Sequence, residues 1–75
     1  MYIRNIYFDL AKCRKECSMT QKQLARKSGI STAMISFIEN GRRQPTLMVL
    51  AILARALNVT LNDLIVIKDG YRYFK

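Results

Sequence analysis

Cys13 and Cys17 are the only thiols in the chain, and no histidine stands anywhere to complement them. A structural zinc site takes four sulfur or nitrogen ligands, so this pair builds none within one chain. The lack of histidine also removes the commonest general base, and no nucleophile–base pair remains for covalent catalysis. The four-residue spacing sets both thiols on one side of a helix, where side chains are badly placed for a disulfide, and a reducing cytosol keeps thiols free. Cys13 falls at an apolar-periodic position and reads as a small core residue; Cys17 reads as partly exposed. No metal, cofactor or small-molecule substrate is implied.

The cations point elsewhere. Lys and Arg number 13 against 5 Asp and Glu, a net charge of +8. That balance suits a polyanion, nucleic acid first and an anionic membrane surface second. Arg42 and Arg43, next to a helix N-terminus, are placed for phosphate contact. With 51% apolar residues the chain is expected to fold rather than to form a disordered basic tail, and its length suits one domain with a small core. The longest nearly uncharged apolar run, Leu47 to Leu57, is about half of what spans a bilayer. The N-terminus lacks the pattern of a signal peptide. A soluble cytoplasmic protein is the expectation.

Local pattern supplies the scaffold for these groups. Ile6, Leu10, Cys13 and Cys17 recur at helical steps, predicting an amphipathic helix over 6–17. Thr20 with Gln23 forms a capping box for a helix from Gln21 to Ser28, and Gly29 stands where a left-handed residue closes it. Ser31 caps Thr32 to Glu39, Thr46 caps Leu47 to Leu57, and Thr60 caps a short helix from Leu61 to about Ile65. In the tail, Asp69-Gly70 between β-branched and aromatic residues signals a type I′ hairpin. Tyr2-Ile3-Arg4 is read as an edge strand beside it, in preference to a DNA-embracing arm or a disordered end, because Tyr and Ile favour pleated surfaces. The predicted architecture is all-α: one domain over 1–75, with five helices over 6–65 and a hairpin or tail over 66–75.

Thr20 to Glu39 therefore presents two short hydroxyl-capped helices around a glycine turn, a helix-turn-helix. The second helix of such a unit can enter a B-DNA major groove while the first meets the backbone. In Met19-Thr20-Gln21-x-x-Leu24-Ala25, Gly29-Ile30-Ser31, Ile35-Ser36-x-Ile38-Glu39-Asn40-Gly41, Pro45, Leu50, Ala54-x-x-Leu57 and Leu61-x-x-Leu64, the sequence resembles the Cro/C1-type (XRE-like) repressors. The resemblance spans roughly residues 6 to 65. It implies a five-helix, lambda-repressor-like domain that binds operator DNA as a two-fold dimer. It puts Gln21 on a phosphate, turns Ser31, Thr32, Ala33, Ser36 and Phe37 toward the groove, and lays Arg42 and Arg43 along the backbone. It also pairs Arg14 with Glu39 across the first and third helices. The residues themselves support that pairing, since each charge is set among apolar neighbours and a partner is what makes burial tolerable. Lys22 and Lys27 complete the expected phosphate-binding set. Their clustering with Arg42 and Arg43 around the recognition helix is expected if the partner is double-stranded DNA.

Two departures carry information. Between Ser31 and Phe37 there is no Arg, Asn or Gln, the side chains that make the usual bidentate base contacts. Hydroxyls, a methyl and a ring remain, so direct readout is expected to favour thymine methyls through Thr32, Ala33 and Phe37, with DNA shape supplying the rest. The competing role for Phe37 is burial against the fourth helix; Met34 is expected to be half core. The fourth helix, moreover, is apolar nearly all round, where a surface helix needs only a stripe. Leu47, Leu50, Ala54 and Leu57 are assigned to the core. Met48, Val49 and Ile52 form an excess face, to be covered by a partner subunit or by the chain's own tail. The expected solution is an isologous homodimer surface that includes Tyr71, Tyr73 and Phe74.

The expected activity is sequence-specific transcriptional regulation, as a repressor on a pseudo-palindromic operator. The competing class is a protein-interaction module, such as an antitoxin or anti-repressor, using the apolar fourth-helix face. Membrane binding would need a free basic amphipathic helix, which the capped, glycine-punctuated pattern does not offer. Catalysis ranks last.

Overall fold

The computed structural model describes residues 4–69. The chain runs β1 (Arg4–Phe8), α1 (Leu10–Glu16), α2 (Gln21–Ser28), α3 (Thr32–Glu39), α4 (Leu47–Leu57), α5 (Leu61–Leu64) and β2 (Ile65–Asp69). Five helices thus form the domain, and the two strands join its ends. No described helix is long and apolar enough to cross a membrane.

Each helix begins where a side chain can satisfy its orphan amides. Thr20 Oγ1 accepts from Gln23 N at 3.0 Å while Gln23 Oε1 accepts from Thr20 N at 2.8 Å. Ser31 and Thr46 accept from Met34 N and Val49 N. Thr60 and Asp63 form a second reciprocal box, and the Thr60 amide hydrogen bond holds the Asp63 carboxyl below its ordinary pKa. Gly29 ends α2 in the left-handed region at φ 78°. A Cβ built there meets nothing within 4 Å, so Gly29→Ala tests conformational strain alone. It is expected to lose ~1–2 kcal/mol, read as a lower urea midpoint at unchanged slope.

The first helix is shorter than its periodicity suggests. Residues 6–8 lie in β1, paired antiparallel with β2 so that Ile6 faces Ile67, Tyr7 faces Val66 and Phe8 faces Ile65. The ladder continues through Asp9 N to Leu64 O at 2.8 Å, and helix begins only at Leu10. Ile6 sits four residues before Leu10 and mimics a helical step, but Ile-Tyr-Phe is a β-prone run and a β-branched partner strand was available to it. The strand expected at Tyr2-Ile3-Arg4 is described from Arg4 onward. Gly70, Tyr71, Tyr73 and Phe74, and with them the expected hairpin turn, lie outside the described residues.

The core is formed by Leu10, Cys13, Leu24, Ile35, Ile38, Leu50, Leu53, Ala54, Ala56, Leu57 and Leu64. Leu53, absent from the expected core set of α4, is fully buried, whereas Leu47, assigned to that set, is 68% exposed. Helical side chains lean toward the N-terminus. In the first turn of α4, one turn before Leu50, Leu47 therefore leans past the end of the helix instead of onto the core. Val49 is half-buried and packs on the core, so it contributes less to the excess apolar face than Met48, which is 70% exposed. Ile52 is half-buried.

Candidate nucleic-acid interface

The turn through Gly29 sets α3 against α2 and leaves one side of α3 uncovered. Ile35 and Ile38 point into the core and Met34 is half-buried against it. Ser31, Thr32 and Ala33 are exposed, Phe37 is 39% exposed, and Ser36 is half-buried. Burial of Phe37 beneath α4, the competing role considered for it, is not what the structure shows. The Ser36 hydroxyl accepts a long hydrogen bond, 3.4 Å, from the Asn40 amide.

Basic side chains stand at both ends of this row. At the N-terminal end, Lys22 and Arg26 border an open depression of about 640 Å³ together with Ser31 and Thr32. At the C-terminal end, the backbone amides of Arg42 and Arg43 both donate to the Phe37 carbonyl, at 2.8 and 3.2 Å. That double contact folds the basic loop onto the last turn of α3 and ties both arginines to the residue bearing the ring. Arg42 and Arg43 are themselves exposed.

Arg26 was not among the expected phosphate-binding residues. Its signal was present, because Lys22 and Arg26 are four residues apart and share one face of α2. Lys27 lies one step further round the helix. It borders a different depression, between α2 and α4, with Ser28, Ile52 and Arg55, and the structure does not bring it to the α3 row.

A polar junction fixes the geometry of the unit. Arg14 Nε donates to Glu39 Oε2 at 2.7 Å and Arg14 Nη2 to Glu39 Oε1 at 3.1 Å, a bidentate pair. Arg14 Nη1 also donates to the Met19 carbonyl at 2.8 Å. Gln21 Nε2 donates to Glu39 Oε1 at 2.9 Å, so α1, α2 and α3 meet at one carboxylate and Arg14 adds the turn before α2. The side chains of Arg14 and Glu39 are 12% and 7% exposed. Burial by itself would raise the Glu39 pKa; the hydrogen bonds from Arg14 and Gln21 outweigh it and hold the carboxyl below its ordinary value. The same hydrogen bond raises the Arg14 pKa. That hydrogen bond turns the half-buried Gln21 carboxamide toward Glu39.

Four of the carboxylates, Asp9, Glu16, Glu39 and Asp63, lie away from the row or are paired. Glu39 is neutralised by Arg14, while Asp9, Glu16 and Asp63 surround a depression between α1 and α5. Cys13 is buried beside them, and burial first, then those three carboxylates, raises its thiol pKa. Its Sγ donates to the Asp63 carbonyl at 3.2 Å, the arrangement of a packed, unreactive thiol. Among the described residues no group of three or more His, Cys, Asp or Glu could hold a metal ion.

Comparison with known proteins agrees with this geometry. An HTH-type transcriptional regulator of Sinorhizobium fredii, y4dJ, is 38% identical over 61 residues, covering 81% of this chain and 79% of the relative. The restriction-modification controller protein C.AhdI from Aeromonas hydrophila superposes with a TM-score of 0.71 at 27% identity, over 73% of this chain and 83% of that one. The clp gene regulator ClgR from C. glutamicum superposes with a TM-score of 0.70 at 29% identity, over 73% of this chain and 70% of that one. Residues 10–64, from the first turn of α1 to the end of α5, match the helix-turn-helix family HTH_3, and the chain belongs to that family of DNA-binding transcriptional regulators.

Proposed function

We propose that this protein is a cytoplasmic repressor that binds a pseudo-palindromic operator as a homodimer, each protomer laying α3 in a major groove. The observation that carries the reading is the exposed row of Thr32, Ala33 and Phe37 with Lys22 and Arg26 at one end and Arg42 and Arg43 at the other. Ser31, Thr32, Ala33, Ser36 and Phe37 face base edges; Gln21, Lys22, Arg26, Arg42 and Arg43 hold the phosphates and set the register. The contiguous exposure of Leu47 and Met48 supports an isologous contact beginning at the first turn of α4. Repression then follows from occupancy, since a dimer spanning two half-sites covers the duplex against polymerase.

Selection of bound duplexes from a random pool tests this directly. A symmetric consensus with half-sites about one helical turn apart is expected; an asymmetric or absent consensus would overturn it. Arg43→Ala should weaken binding to every sequence alike and reduce the slope of log affinity against log salt by about one unit. A change confined to one base position would instead make Arg43 a base reader.

A further inference from the structure

The outward side of α3 carries an unusual set of groups for reading DNA. Over Thr32 to Glu39 the sequence is Thr-Ala-Met-Ile-Ser-Phe-Ile-Glu. Its one charged residue, Glu39, is bound by Arg14 and Gln21, and its exposed members are Thr32, Ala33 and Phe37. Two methyl groups, one hydroxyl and a ring thus stand where guanidinium or carboxamide groups usually stand. The methyls and the ring distinguish base pairs by one major-groove feature, the methyl on pyrimidine C5. Thymine supplies that methyl in ordinary DNA. Cytosine methylated at C5 supplies the same group at the same height in the groove.

We infer that α3 reads pyrimidine C5-methyl groups as such, so that 5-methylcytosine in a half-site is bound in the manner of thymine and C5 methylation of the duplex tunes binding. This inference rests on the duplex reading proposed above and names its chemical class of ligand. Phe37 is the central reader. Its backbone carbonyl accepts from Arg42 N and Arg43 N, so the backbone that carries the ring is tied to the same loop that is proposed to grip the phosphates. The unmethylated cytosine N4 amino group, a donor, meets no carboxylate here, since Glu39 is held inside. Unmodified cytosine at a contacted position correspondingly lacks the methyl contact that thymine and 5-methylcytosine offer.

The test uses the whole chain and a duplex recovered by random-pool selection, with affinity read by fluorescence anisotropy at fixed salt. Thymines of the half-site are replaced singly by uracil, and separately by cytosine and by 5-methylcytosine with guanine opposite. Removing one contacted methyl as uracil is expected to weaken binding about fourfold. 5-Methylcytosine is expected to bind about fourfold more tightly than cytosine at the same position. With Phe37→Ala, an exposed-site change whose fold is checked by circular dichroism, both differences should vanish at the position the ring contacts. Equal affinity of the thymine and uracil duplexes, or of the cytosine and 5-methylcytosine duplexes, would overturn the inference while leaving operator binding intact. Methyl effects that persist at every position in Phe37→Ala would also overturn it, assigning them to DNA shape. Failure of the selection to yield any consensus would instead overturn the operator reading on which it rests.

Discussion

Arg14→Ala is expected to lower the free energy of unfolding by ~3–5 kcal/mol, measured by urea denaturation. A chain of this length has roughly 4–11 kcal/mol in total, so the loss is a large share of the whole and should appear as a markedly lower urea midpoint. The loss exceeds that of an ordinary ion pair because Glu39, 7% exposed, is left charged and nearly dry with only Gln21 donating to it. Removing both charges should be milder than removing one, and Arg14→Met with Glu39→Gln is expected to recover part of the loss. The pH dependence has a definite sign. The folded Glu39 pKa lies below its ordinary value, so the pair's contribution is complete above the unfolded carboxyl pKa, ~4.3, and is lost as pH falls through the folded value. Wild type and Glu39→Gln should therefore differ most at neutral pH and converge as the solution becomes acid. A constant difference down to the lowest pH would mean that the carboxylate is not what Arg14 holds. Because the same junction orients Gln21 and seats α3, a stability loss here should be accompanied by weaker duplex binding even at temperatures where the variant is folded.

The second large effect concerns assembly. Met48→Asp combined with Ile52→Asp is expected to yield monomers in sedimentation without DNA, and to weaken binding to a two-half-site operator by ~10²–10⁴-fold, the scale of lost bivalency. A two-fold contact would bury each new carboxylate in both protomers, and an unpaired buried charge is strongly unfavourable. The fold should survive, since Met48 is 70% exposed, half-buried Ile52 is not among the side chains packed on the core, and an acidic residue in the first turn of a helix interacts well with its dipole. Val49 is left unchanged because it packs on the core. Affinity for an isolated half-site should fall far less, by only the added repulsion from phosphate. An undiminished dimer would place the contact elsewhere.

Most of the architecture was present in local chemistry. Thr20 with Gln23, Ser31, Thr46, Thr60 and Gly29 each act within four residues of themselves, so the hydroxyl, the amide it caps and the turn it ends stand close together in the chain. The five helices and the helix-turn-helix could accordingly be read before any coordinates. The pairing of Arg14 with Glu39 was also readable, though only with the resemblance to known repressors, because an apolar neighbourhood says that a charge needs a partner without saying which one. Three features required the folded molecule. Ile6, Tyr7 and Phe8 fit a helix by spacing and a strand by type, and the choice was made by Ile65–Ile67, nearly the whole chain away. Leu47 and Leu53 are the same residue type in the same helix, and only the position of the core beneath α4 buries one and exposes the other. Arg26 and Lys27 are adjacent cations, yet the packing of α2 against α3 on one side and α4 on the other sends them to different surfaces. Contacts between neighbours in sequence are written in residue order, whereas those between distant segments exist only once the chain has closed on itself.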